Sequence, residues 1–133
     1  MSREPVSDLT AMLTGMTPTL HEGRYRFVTH GPDEDGIDLL HRTFAMVREE
    51  EGLTLVIRAR RDDPEPLFAG ITLAVHSALE GVGLTAAVST ALAEAGLPCN
   101  MIAGYHHDHL FVPWARRAEA MAILDQLSLD AGR

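Results

Sequence analysis

The apolar positions in the second half of the chain follow strand-like and helix-like spacings in turn. FAGITLAVH (68–76) predicts a strand, and TAAVSTALAEAG (85–96) predicts a helix that has one apolar side and ends at Gly96. LPCNMIAGYH and HLFV then predict a hairpin, and residues 113–127, which open with a proline, predict a second helix. The order β-α-β-β-α is ferredoxin-like but lacks a final strand. We therefore expect the N-terminal half to supply the fourth strand.

The first half of the chain is richer in strand signals. SDLTAMLTG predicts a short helix that Ser7 can cap, and GRYRFVTH (23–30) alternates as a strand does. LTLVIR (53–58) predicts another strand, whereas residues 37–48 fit either a helix or a strand. The whole pattern predicts an α+β protein with an antiparallel sheet and helices on one face.

The composition is that of an ordinary globular protein. The chain has 133 residues, of which 46% are hydrophobic and 23% charged, and its net charge is −8. An acidic surface repels phosphate, so we expect no nucleic-acid partner. No apolar run reaches the ~18 residues of a membrane helix, and the N-terminus lacks a signal-peptide pattern. The single cysteine, Cys99, cannot form an internal disulfide. These features favour a cytoplasmic location without a membrane partner.

One long segment resembles a known family. Residues 70–113, GITLAVHSALEGVGLTAAVSTALAEAGLPCNMIAGYHHDHLFVP, resemble the ACT-domain superfamily, the small ligand-sensing modules of amino-acid metabolism. EEEGLTLVI (49–57) resembles the segment that precedes this core in stand-alone bacterial ACT proteins of unassigned function. The chain departs from the family pattern at Ala103-Gly104, where Ile-Ser is usual. The resemblance implies an ACT-like core at 67–130, completed by a helix and strands at 1–66 that form either added strands or a degenerate ACT-like unit.

The resemblance also implies an amino-acid site. In ACT-type modules the turn between the first strand and the first helix receives the ligand's carboxylate, which here implies Gly83, Leu84 and Thr85 as neighbours. A helix N-terminus suits an anion because its first N–H groups are unpaired, and Thr85 can cap the helix. Asp108 and Tyr105 match the aspartate and the aromatic residue that the family has around this hairpin, so the resemblance implies them as ligand neighbours too. His76 and Ser77, which follow the first strand, would border the same pocket.

The polar run HHDH, at 106–109, allows a second interpretation. A hairpin that turns at His107-Asp108 places His106 opposite His109, with β-carbons about 4.5–5.5 Å apart. Two imidazoles at that spacing can share a metal ion, and His76 is a candidate third ligand. Otherwise the histidines simply finish a hairpin in solvent. In this register Ile102 and Phe111 lie on the wetter sheet face, so we expect a homodimer to cover them.

The motifs exclude several enzyme classes. The chain has no activated serine or cysteine motif, no phosphate loop and no dinucleotide fingerprint. Cys99 falls on the apolar hairpin face and is expected to be inert. We therefore predict a non-enzymatic regulatory module without a cofactor that binds a small molecule, which the resemblance implies is an amino acid. The alternatives are a divalent-metal module and an interaction protein without a ligand.

Overall fold

The computed structural model describes residues 7–30 and 37–133, which fall into two compact units. One unit comprises Ala69–Arg133 together with the described residues up to His21, and the other comprises Glu22–Phe68. The division predicted at residues 66 and 67 remains a prediction.

Within the described residues the helices and strands have the following bounds. The helices are α1 (Leu9–Thr14), α2 (Ile37–Arg42), α3 (Leu84–Glu94) and α4 (Arg117–Ala131), and a 3-10 turn at Trp114–Arg116 precedes α4. The strands are β1 (Pro18–His30), β2 (Thr43–Glu49), β3 (Gly52–Arg58), β4 (Phe68–Leu73), β5 (Asn100–Ala103) and β6 (Asp108–Pro113).

The unit that contains the C-terminus has the ferredoxin-like order β4-α3-β5-β6-α4. Its strands lie in the order β4-β6-β5, and the first residues of β1 flank β4 on the other side. The Ala74 N–H donates to the Met16 carbonyl at 2.6 Å, just before β1 begins. The expectation that the N-terminal half supplies the missing strand is therefore confirmed. The strand that it supplies, β1, comes before the core in the chain together with α1, whereas the final strand of the ferredoxin-like order would come after the core.

The core of this unit lies between its sheet and its helices. Leu84, Val88 and Leu92 form the buried stripe of α3, as the sequence predicts, and Ala120 and Leu124 are the buried residues of α4. The remaining buried residues come from α1, the strands and the connections: Met12, Leu13, Met16, Ala69, Ile71, Leu73, Val75, Leu97, Leu110 and Val112. Burying one such leucine or isoleucine side chain contributes roughly 1.5–3 kcal/mol, so this cluster holds the unit together.

An arginine fixes the C-terminal end of α3. The Arg116 guanidinium donates to the carbonyl oxygens of Ala95 and Gly96, each at 2.9 Å, and also to the carboxylate of Glu119. The last carbonyls of a helix lack intrahelical donors, so a cation placed there satisfies them and complements the helix dipole. Arg116 thus ties the end of α3 to the start of α4.

The unit at Glu22–Phe68 is built from β1, α2, β2 and β3. Its antiparallel strands lie in the order β2-β3-β1, with Val28 opposite Leu55. The ambiguous residues 37–48 contain both structures, because α2 ends at Arg42 and β2 starts at Thr43. The Thr43 hydroxyl donates to the Leu39 carbonyl at 2.7 Å and closes the last helical turn before the chain extends.

Two details of the sequence interpretation need correction. The N-cap of α1 is Asp8 and not Ser7, since the Asp8 carboxylate accepts from the Ala11 N–H at 2.9 Å. Phe111 is 0% exposed within the single chain, so the argument that a dimer is needed to cover it is wrong. Asp8 directly precedes the first helical residue, Leu9, so its carboxylate reaches the third N–H of α1, whereas Ser7 lies one residue too early to act as the N-cap.

Candidate functional site

The connection between β4 and α3 forms one wall of a small pocket. Gly83 is the N-cap of α3 and has a φ of +105°, a conformation that favours glycine. The first helical N–H with an intrahelical acceptor belongs to Ala87, which donates to the Gly83 carbonyl at 2.8 Å. The N–H groups of the residues between them therefore have no acceptor within the helix. Thr85 lies at the second helical position, and α3, which lies wholly within the described chain, has no side-chain cap. The expectation that Thr85 caps the helix is wrong.

The β5–β6 hairpin forms the facing wall, in a register that differs from the predicted one. Asn100 pairs with Phe111 and Ala103 pairs with Asp108, so the turn is Gly104–His107. The Gly104 N–H donates to the His107 carbonyl at 2.9 Å and closes this turn. The predicted pairing of His106 with His109 is wrong: His109 lies opposite Ile102, and His106 is in the turn.

The corrected register differs from the predicted one by four residues along the pair. Because side chains alternate along a strand, an even difference keeps the residues of β5 and β6 on their predicted faces, whereas residues 104–107 now form the turn. Met101, Leu110 and Val112 therefore still share the face that meets the helices, as expected. The same alternation places Asp108 on that face, at the edge of the core.

Ser77 and Asp108 join the two walls. The Ser77 hydroxyl donates to Asp108 Oδ2 at 2.9 Å, and Ser77 is 9% exposed. A pocket of about 120 Å³ lies beside this hydrogen bond, and its lining includes five of the predicted site residues: Ser77, Gly83, Leu84, Thr85 and Asp108. The lining of the pocket thus includes both a carboxylate and the start of a helix.

The size of this pocket limits what it can hold. About 120 Å³ is room for about four water molecules at ~30 Å³ each. Drug-sized ligands occupy pockets of roughly 300–1,000 Å³. The pocket is therefore too small to enclose a drug-sized ligand.

The other two predicted ligand residues lie around a second cavity. His76 and Tyr105, with His106, line a concavity of about 470 Å³ that also touches Ser77, Ala78, Leu79 and Glu80. Tyr105 is 76% exposed, so it is not a core residue. Ser77, Ala78 and Leu79 line both cavities, so the two cavities are neighbours that share this segment of the chain.

Helix α1 contributes residues that the sequence did not assign to the site. Met12 lines the smaller pocket, although its pattern indicated only a core residue. A β-carbon built on Gly83 would lie 3.1 Å from Leu9 Cδ2, so α1 packs directly over the turn. Ala78, Leu79, Gly81 and Ala103 complete the lining. No local signal could identify Met12, because its place depends on how α1 packs on a segment far along the chain.

His109 has a different environment from the other hairpin histidines. Its Nδ1 lies 2.9 Å from Thr72 Oγ1, which is in turn 2.6 Å from His21 Nε2. Burial lowers the pKa of His109 below its ordinary 6.5, and the neighbouring His21 and His107 lower it further, while Asp108 opposes the change. In residues 7–30 and 37–133, no group of three or more His, Cys, Asp or Glu side chains is arranged to hold a metal ion. His76, His106 and His109 thus form no ready-made three-ligand site there, and the alternative that they bind a metal together stays a prediction.

Cys99 is half-buried beside the core of the same unit. Burial raises the pKa of its thiol to about 11. A thiol with such a pKa is almost wholly protonated near neutral pH, and the thiolate is the reactive form. This agrees with the expectation that Cys99 is inert.

The architecture and the pocket define a class of protein, namely a ferredoxin-like module with a small polar pocket at its strand–helix turn. The comparisons with known families give the same answer. ACT-domain family models match residues 4–67 and residues 69–126. The chain belongs to the ACT-domain family and contains two ACT-like units. ACT domains are regulatory, non-catalytic modules that typically bind ligands.

Solved structures share the fold of this chain. A Vibrio cholerae protein of unknown function, described as a possible transport protein, is 42% identical over 90% of this chain and 95% of its own, with a TM-score of 0.77. An Agrobacterium tumefaciens protein is 16% identical over 84% of this chain and 87% of its own, with a TM-score of 0.68.

The ligand-free regulatory subunit of aspartate kinase from Thermus thermophilus shares the fold. It is 12% identical over 85% of this chain and 97% of its own, with a TM-score of 0.61. No curated protein matches the sequence. Across the described residues, no helix is both long and apolar enough to cross a membrane.

Proposed function

We propose that this protein is a non-enzymatic sensor that binds an amino acid in the pocket beside Ser77 and Asp108. The observation that carries the proposal is the pairing of a carboxylate with a helix N-terminus across a pocket of about 120 Å³. An α-amino acid has an ammonium and a carboxylate close together, and it is the simplest ligand with that pattern of charge. Membership of the ACT-domain family supports the proposal.

Each end of the zwitterion has a matching group. Asp108 would accept charge-assisted hydrogen bonds from the ammonium group, while its Oδ2 keeps the bond from Ser77. The N–H groups of Leu84 and Thr85, at the positive end of the α3 dipole, would face the ligand carboxylate. Gly83 allows the backbone to approach the ligand without a side chain in the way. The amino-acid side chain would extend toward Leu79 and Tyr105.

We also propose that the sensor is a homodimer in the cytoplasm, without nucleic-acid partners. Leu79 and Tyr105, which are 67% and 76% exposed, line the larger cavity, and Val82, which is 81% exposed, lies between Gly81 and Gly83 of the smaller pocket's lining. Such large apolar side chains grouped on one surface favour contact with another protein surface. The acidic charge and single cysteine support the location and the absence of nucleic acid. Light scattering that gives the mass of one chain would exclude the dimer.

A thermal-shift screen tests the ligand class. The protein, dialysed against chelator, is melted with each of the twenty amino acids in turn. A ligand present at 100 times its Kd adds about 2.7 kcal/mol to the free energy of unfolding, which raises the melting temperature by several degrees. We expect a rise with one amino acid or with a few related ones. Melting temperatures that stay constant in all twenty mixtures would refute amino-acid binding.

The role of Asp108 is tested with the amino acid that the screen identifies. Asp108→Asn keeps an oxygen that can accept from Ser77 but removes the negative charge, so calorimetry should show at least tenfold weaker binding, about 1.4 kcal/mol. Asp125→Asn is the matched control, because Asp125 is an exposed carboxylate on α4 that does not line the pocket. If Asp108→Asn binds as tightly as Asp125→Asn, Asp108 does not hold the ammonium group.

A further inference from the structure

Two histidines from distant segments of the chain face the same open cavity. His76 follows β4 and His106 lies in the β5–β6 turn, yet their ring centres are 5.4 Å apart and their planes are tilted by 58°. Both rings line the cavity of about 470 Å³. The Tyr105 ring meets His106 edge-on, with centres 5.0 Å apart. The ring pair is therefore accessible to an ion from solvent.

The spacing of the two rings matches that of imidazoles that share one metal ion. A Zn–N bond is about 2.0–2.1 Å and a ring nitrogen lies about 1.1 Å from the ring centre, so two imidazoles at a tetrahedral angle have centres about 5.2 Å apart. The observed 5.4 Å agrees with this value. Imidazole nitrogen is a ligand for Cu²⁺, Ni²⁺ and Zn²⁺, whereas Ca²⁺ and Mg²⁺ take oxygen ligands.

We propose that His76 and His106 bind one divalent transition-metal ion, with a nitrogen from each ring and water in the other positions. A structural zinc site needs four protein ligands, so this ion is an exchangeable one. The neighbouring histidines have other contacts: His107 Nδ1 lies 3.5 Å from the Val75 carbonyl oxygen, and His109 Nδ1 lies 2.9 Å from Thr72 Oγ1.

The position of this site gives the ion a structural effect. It would connect the segment after β4 to the β5–β6 turn, and these two segments also carry Ser77 and Asp108 of the smaller pocket. An ion that binds only the folded chain stabilises it in proportion to the logarithm of its concentration over its Kd. The site does not depend on amino-acid binding and adds a second ligand to the same end of the unit.

Metal titrations without any amino acid test the site. Protein that carries no polyhistidine tag is stripped with chelator and titrated by calorimetry with CuCl₂, NiCl₂ or ZnCl₂ alone. We expect one ion per chain, with Cu²⁺ binding most tightly. His76→Ala and His106→Ala should each weaken binding at least tenfold, while His41→Ala, which alters an exposed histidine of α2, should leave it unchanged. Far-ultraviolet circular dichroism checks that each variant is folded.

Electron paramagnetic resonance of the Cu²⁺ complex supplies an independent measurement. Hyperfine coupling should show two imidazole nitrogens in the unaltered protein and one in each single variant. Absence of binding to the unaltered protein overturns the proposal, as does binding that survives either substitution unchanged. Loss of binding in His109→Ala would also overturn it, because that ring is placed against Thr72 and away from the pair. None of these outcomes bears on the amino-acid screen, which is run without metal.

Discussion

Replacing Gly83 with alanine measures how tightly α1 packs over the pocket turn. The backbone at Gly83 has a φ of +105°, and forcing an L-residue into the left-handed region costs about 1–2 kcal/mol. The new methyl group would also lie 3.1 and 3.2 Å from the two Leu9 methyl carbons, so Leu9 must move. Alanine also lowers the conformational entropy of the unfolded chain, which stabilises the folded protein by about 0.4–1 kcal/mol. We expect a net loss of about 2 kcal/mol in the free energy of unfolding.

Gly96→Ala is the matched control for this substitution. Gly96 has a φ of +72°, but a β-carbon there meets nothing within 4 Å, so alanine adds strain without a clash. Urea unfolding followed by circular dichroism should show that Gly96→Ala lowers the free energy of unfolding by about 1 kcal/mol, which is half the loss expected for Gly83→Ala. In a Leu9→Ala background the extra cost at Gly83 should shrink, which gives a coupling energy of roughly 0.5–1 kcal/mol. Equal losses at the two glycines, with no coupling to Leu9, would show that α1 does not cover the turn.

Two further predictions follow from pKa values that burial displaces. The pKa of His109 is depressed in the folded chain, so the unfolded chain takes up a proton first and stability falls as the pH drops through 6.5. His109→Asn should reduce the fall in melting temperature that the protein shows between pH 7.5 and 5.5. His41→Asn is the control, and a fall in His109→Asn as large as that in His41→Asn would contradict this explanation. Burial raises the pKa of Cys99 from 9.0 to about 11, which lowers its thiolate fraction at pH 8 roughly a hundredfold. A thiolate of higher pKa is more nucleophilic, which raises the reaction rate of each thiolate about tenfold and offsets part of that loss. Iodoacetamide should therefore label Cys99 about ten times more slowly in the folded protein than in urea, and equal rates would show that the thiol is exposed.

The hairpin shows what the sequence could and could not predict. Alternation assigns each residue of β5 and β6 to its correct face, because a face depends only on whether positions are odd or even. The register depends on the turn, and several turns fit GYHHDH. The structure closes the turn with the hydrogen bond from the Gly104 N–H to the His107 carbonyl, and Asp108, which follows the turn, accepts from the distant Ser77. The sequence names His76 as a candidate neighbour of the hairpin histidines, and the structure shows that its ring meets that of His106.

The pocket residues divide in the same way. The turn glycine, Gly83, follows from the break between two apolar patterns, whereas the helix starts at Leu84, one residue before the predicted range 85–96. The packing of Leu9 and Met12 against the pocket could not be predicted, since a six-residue helix carries no signal of what it will pack against. Contacts between segments far apart in sequence depend on the assembled core, which local periodicity does not encode.

The anchoring of α3 by Arg116 has a consequence for how the pocket responds to a ligand. Helix α3 is held at its C-terminal end by two charge-assisted hydrogen bonds from Arg116, and along its length by the buried Leu84, Val88 and Leu92, and these contacts oppose sliding along its axis. We therefore expect the N–H groups at its other end to keep the same depth in the pocket when a ligand binds. Binding then spends little free energy on reorganising the receptor, and discrimination between ligands rests on shape and charge instead of on closure.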